Sequence, residues 1–130
     1  MKLTLWISIS VIAVTATLAL PAQQLALKDG DRVVFYGDSI TAQRYYTRYV
    51  EDFLLTRYPK MQVAFFNAGI PGDNVNGGYN GDAQLRLKRD LFPHQPNVVT
   101  IMLGMNDGFY SPFEPKYLGI YSTGYHKLLD

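Results

Sequence analysis

Cysteine is absent from the 130 residues, which excludes disulfides, a thiolate nucleophile, zinc–thiolate sites and cysteine-linked lipid. A small domain of this kind must be held together by its apolar core. Charge of either sign is sparse as well: 12 Lys and Arg stand against 11 Asp and Glu, for a formal net charge of +1. The only dense basic cluster, RLKRD at 86–90, alternates with leucine as an amphipathic helix does. Nucleic-acid binding is therefore unsupported. Only two histidines occur, and no grouping of His, Asp and Glu has metal-ligand spacing, so no metal or other cofactor is expected.

What the chain does have is apolar and aromatic residues in the proportion of a globular protein, 48% hydrophobic with 14% aromatic, far from disordered or collagenous composition. The opening segment is MKLTLWISISVIAVTATLALPAQQ. It places Lys2 before an uncharged stretch from Leu3 to Leu20, with small residues at Ala16, Ala19 and Ala22. That is the layout of a secretory signal peptide. An uncleaved membrane anchor competes with it, since about 18 such residues approach spanning length. Interspersed Ser and Thr and the Pro21-Ala22 exit favour cleavage. Residues 1–22 are read as a signal peptide and 23–130 as one domain, secreted or periplasmic, with membrane contact only through an uncleaved leader. About 110 residues then remain, near the lower limit for a single buried core.

Three runs, RVVFY at 32–36, QVAFFN at 62–67 and NVVTIML at 97–103, are nearly continuous in apolar residues. That pattern predicts strands buried on both faces, as in a parallel sheet covered by helices. Between the first two lies AQRYYTRYVEDFLLTRY, with Tyr46, Tyr49, Val50, Phe53 and Leu54 at helical spacing and Pro59 as its stop. A Gly- and Asn-rich loop, GIPGDNVNGGYNGD, precedes a predicted helix AQLRLKRDLF that stops before Pro93. The order strand, helix, strand, loop, helix, strand implies right-handed βαβ units in a three-layer α/β/α fold. A last helical stripe carries Tyr117, Leu118, Tyr121, Tyr125, Leu128 and Leu129.

Each strand runs into an unusual polar segment: GDS at 37–39, NAGIPGD at 67–73 and GMND at 104–107. In an open parallel sheet the carboxyl ends share one edge, where such folds place their ligands. Taken singly, each segment has a plain explanation. Asp38 and Ser39 are good helix N-caps, Gly69 or Gly72 supplies a turn with positive φ, and GMND is an ordinary strand-to-helix turn.

Together, in this order, the three blocks resemble the SGNH hydrolase superfamily, the GDSL esterase/lipase family, across the N-terminal part of its domain. The resemblance implies a flavodoxin-like parallel sheet and ester hydrolysis. It matches Ser39 to the nucleophile, with Ile40 where the family name has leucine, Gly72 to the second-block glycine and Asn106 to the third-block asparagine. The Ser39 and Gly72 N–H groups and the Asn106 side-chain amide would then form an oxyanion hole, and a Cβ at 72 would obstruct the substrate. Asp38 and Asp107 take supporting roles, ordering their own turns, while Asn67, Asp73 and Asn74 are available to orient the second-block loop.

A serine nucleophile needs a base held by a carboxylate, and the family's late DxxH block is missing from this sequence. His94 precedes the third strand and so belongs to the opposite sheet edge, as a surface loop residue. His126 lies beside the last helical stripe with no aspartate three residues earlier. The chain is therefore expected to be a fragment holding three of the about five strands that the resemblance implies, inactive alone, with the catalytic Asp and His beyond residue 130. The expected function is an exported serine esterase acting on small-molecule or carbohydrate acyl esters, acetyl-carbohydrate among them. A non-catalytic carbohydrate-binding module of the same fold is the alternative. A phosphate or nucleotide binder using the Gly-rich loop lacks both the G-x-G-x-x-G and the P-loop pattern. If the leader is removed, the intact mass of the exported protein will correspond to a start at Gln23 or Gln24; a mass that retains Met1 would favour the anchor.

Overall fold

The computed structural model describes residues 25–130, so the signal peptide read at 1–22 lies outside the described residues. Strand β1 (Arg32–Gly37) is buried from Val33 onward, as its unbroken apolar run predicts. It is the centre of a three-stranded parallel sheet, with one later strand on each side. On one side β2 (Ala64–Gly69) pairs in register from Arg32↔Ala64 to Gly37↔Gly69. On the other, β5 (Val98–Met102) pairs from Val33↔Val98 to Gly37↔Met102.

The helices lie on both faces. Short helix α1 (Ser39–Ala42) follows β1 directly, and α2 (Tyr45–Arg57) follows after Arg44 adopts a left-handed φ of 64°. Tyr46 packs edge-on to Phe35, 5.8 Å between ring centroids, which sets α2 on the Val33/Phe35 face of β1. The opposite face, Val34 and Tyr36, forms the main core with Ala68, Ala83, Leu87, Leu91 and Leu128. Apart from Ala68 of β2, those residues come from α3 (Ala83–Arg86), the π-helical turn at Leu87–Leu91 that continues it, and α4 (Pro115–Leu129). Three layers result, as expected.

Several expectations are corrected. The helix predicted from Ala42 begins instead at Tyr45, because the left-handed Arg44 breaks it. That break rotates α2 so that Thr47 and Leu54 turn inward, while Tyr49 is 76% and Phe53 51% exposed. The third run is not buried on both faces. β5 is an edge strand among the described residues, and Thr100 and Met102, which share the Phe35 face, are exposed, as is Val99 on the other face. In α4 the inward line is Tyr117, Tyr121, Gly124, Tyr125 and Leu128, with Leu118 and Leu129 exposed. The Gly/Asn loop also contains a small hairpin, β3 (Gly77–Gly78) against β4 (Gly81–Asp82), with Tyr79 and Asn80 at its tip.

The carboxyl edge is tightly fitted. Gly69 ends β2 against α1, where an added Cβ would sit 2.6 Å from the Thr41 carbonyl carbon and 2.8 Å from the Ala42 Cα. Asn67 fastens the same junction, its Nδ2 donating to the Thr41 carbonyl at 2.7 Å and its Oδ1 accepting from the Gly69 N–H at 3.0 Å. Gly69→Ala should therefore force α1 away from β2 and lower stability by about 1–3 kcal/mol; an unchanged urea midpoint would show that the junction gives.

Candidate active site

Because β1 pairs on both sides, the chain leaves the sheet in opposite directions from its carboxyl end, the place where open α/β sheets form a crevice. The neighbouring strand ends are stitched to it: the Ile70 N–H donates to the Gly37 carbonyl at 2.9 Å, and the Asp38 N–H to the Met102 carbonyl at 3.4 Å. The segments carrying Ser39, Gly72 and Asn106 thus leave one sheet edge together.

Asp38, not Ser39, caps α1. Its carboxylate accepts the Ile40 N–H at 2.9 Å, and the residue is 1% exposed. Ser39 is the first helical residue, half-buried, and its hydroxyl has no hydrogen-bond partner among the described residues. The local role that would account for a serine there is already filled by its neighbour.

Gly72 has φ +76°, a conformation that side chains disfavour. Within the protein an added Cβ would meet only the Tyr79 ring, at an ordinary 3.7 Å. Backbone conformation, rather than crowding inside the protein, is what calls for glycine. The Asn106 Nδ2 donates to the Asp73 carbonyl at 2.7 Å, which uses one of its two amide hydrogens. Gly72 and Asn106 line one cleft of about 450 Å³, walled by Tyr79, Phe109 and Tyr110. Ser39 is not among that cleft's lining residues.

Asp107 reaches across from the third block to the second, its Oδ1 accepting the Val75 N–H at 3.0 Å. Burial raises its carboxyl above the usual aspartate range, against the pull of that N–H, and its Oδ2 has no partner among the described residues. Neither histidine joins these groups. The His94 ring stacks on Phe66, 4.3 Å between centroids, and its carbonyl accepts from the Arg32 Nε at 2.6 Å. It is a packed residue before β5, half-buried, where a plain surface loop position was expected. His126 is exposed on α4.

Residues 35–130 match the GDSL-like lipase/acylhydrolase family. The chain belongs to that family. An acetylxylan esterase from Geobacillus stearothermophilus is 29% identical over 98 residues, covering 64% of this chain and 42% of the esterase. A solved catalytic mutant of an acetylxylan esterase from the same organism superposes with a TM-score of 0.66 at 28% identity, covering 81% of this chain and 55% of that one. A gut microbial diltiazem-metabolizing enzyme gives a TM-score of 0.62 at 30% identity, covering 79% of this chain and 23% of the enzyme. The chain therefore spans between about a quarter and just over half of the length of these relatives.

In this GDSL-like chain the second-block loop is held by a residue that the sequence pattern did not single out. Arg86, read only as part of a basic cluster, is 0% exposed. Its guanidinium pairs with Asp73, donates from Nη2 to the Ala68 carbonyl at 2.6 Å and from Nε to Asp90 at 3.1 Å, and stacks 4.6 Å from the Tyr36 ring centroid. The available signal was spacing: Arg86 stands three residues after Ala83 and five before Leu91, inside the buried stripe of its own helix. Burial pushes the Asp73 carboxyl up and the guanidinium pulls it back; burial pushes the Tyr36 hydroxyl up to about 12. Arg86→Met would leave Asp73 buried without its counter-charge, so urea unfolding should report a loss of about 3–5 kcal/mol. Adding Asp73→Asn should restore part of it.

Proposed function

We propose that this chain carries the nucleophile and oxyanion-binding portion of a serine ester hydrolase. Ser39 Oγ attacks the carbonyl carbon of an ester, and the carbonyl oxygen takes up the negative charge of the tetrahedral intermediate. The Ser39 N–H, the Gly72 N–H and the second Asn106 amide hydrogen stabilise that oxygen. Collapse expels the alcohol and leaves the acyl group on Ser39, and water then releases the acid. Preorganised donors of this kind typically contribute a hundred- to a thousandfold each in turnover. The observation that carries the reading is an unengaged serine hydroxyl at the same sheet edge as a positive-φ glycine and an asparagine amide. Asp38 already performs the capping that would otherwise explain the serine.

The proton must pass from Ser39 to a base, and the family resemblance assigns that role to a DxxH block beyond residue 130. The relatives support an acetylated carbohydrate as substrate, since the Geobacillus stearothermophilus matches are acetylxylan esterase. The signal-peptide-like sequence pattern of residues 1–22 supports an exported protein. His94 is packed on Phe66 and His126 is exposed on α4, and a non-catalytic module that binds acetylated glycans is the second reading.

The test is acetate release from acetylated xylo-oligosaccharide by the intact protein and by its Ser39→Ala variant. The variant should lose about four to six orders of magnitude in kcat, as nucleophile deletions do. Its melting temperature should hold, because the cap at Asp38 remains. Binding of the oligosaccharide without acetate release by the unaltered protein would select the second reading.

A further inference from the structure

We infer that Tyr110 is a positioning residue for the oxyanion donor Asn106, an inference that rests on the ester-hydrolase reading above. The Asn106 amide is held at both ends. Its Nδ2 faces the Asp73 carbonyl at 2.7 Å, and because a carbonyl only accepts, that end of the amide must be nitrogen. Oδ1 is thereby turned the other way, where it accepts the Tyr110 hydroxyl at 3.2 Å. Two anchors on opposite ends of one planar group fix its orientation and leave a single amide hydrogen free. The hydrogen bond received at Oδ1 also draws electron density from the amide and makes that remaining N–H a stronger donor.

The chain makes an unusual effort to deliver this hydroxyl. Phe109 and Tyr110 both hold left-handed φ angles, 51° and 53°, which bulky residues rarely adopt and which here occur consecutively. The turn is closed by the Phe109 N–H on the Asn106 carbonyl at 3.3 Å and the Ser111 N–H on the Gly108 carbonyl at 3.0 Å. The Phe109 ring rests against Tyr117 of α4, 5.5 Å between centroids. Tyr110 itself is 78% exposed, so its ring is not there to fill a core. Its one hydrogen bond among the described residues goes to Asn106.

A double-mutant cycle on the intact protein tests this. Tyr110→Phe should lower kcat on an acetyl ester about five- to tenfold, the usual worth of one hydrogen bond, with KM and melting temperature unchanged. In an Asn106→Ala background, itself slowed by about a hundredfold or more, the same Tyr110→Phe change should have no further effect. An equal loss in both backgrounds would overturn the positioning role, as would a raised KM with kcat intact, which would mark Tyr110 as a substrate contact. If Asn106→Ala leaves kcat untouched, the oxyanion assignment fails and the role of Tyr110 falls with it.

Discussion

The second and third polar segments at the carboxyl edge of the sheet depend on one buried guanidinium. Arg86 leaves α3, crosses the Tyr36 ring of the central strand, and meets the end of β2 through the Ala68 carbonyl and the second-block loop through Asp73. A charge removed from water in this way is costly unless its donors are used. Here all three guanidinium nitrogens have acceptors. The pair holds down the residue beside Gly72, and the Asp73 carbonyl in turn receives Asn106. Two of the three chemical blocks are therefore referred to a single fixed point, with Asp107 on the Val75 N–H as a second brace between them.

Much of the fold was legible because the central strand is buried on both faces and its run of apolar residues is unbroken. The alternation of strand and helix, and the exit of each strand into polar residues, led to a parallel sheet with its chemistry on one edge. The segments of Ser39, Gly72 and Asn106 leave that edge together. Elsewhere the pattern misled, for identifiable reasons. Periodicity in α2 could not reveal that a left-handed Arg44 would re-phase the helix, burying a threonine and exposing Tyr49 and Phe53. An edge strand can be as apolar as a central one, so the burial of β5 was overestimated.

The candidate site was legible in residue type more than in arrangement. Block order picked out Ser39, Gly72 and Asn106, but the partners that orient them are ordinary in sequence: an aspartate in a loop, an arginine in a charged helix, a tyrosine in a turn. Hydrogen bonds such as Asn106 to Asp73, 33 positions away, leave no local trace. Of the two glycines that the turn reading left open, Gly72 is the one that adopts positive φ, and crowding within the protein adds nothing to that demand.

The strand order has a consequence in time. The chain makes β1 first, yet β1 is the middle strand, and the partners on its second side come last: Arg32 and Asn97, joined by a hydrogen bond, are 65 positions apart. Non-local parallel pairing of this kind forms slowly, since loop closure must precede its reward. During synthesis the most deeply buried strand waits, half-paired, until more than sixty further residues have emerged. A ribosome therefore carries β1 without its second described neighbour until β5 has been made, and until then the segment bearing Asn106 is missing from the edge where Ser39 and Gly72 already stand.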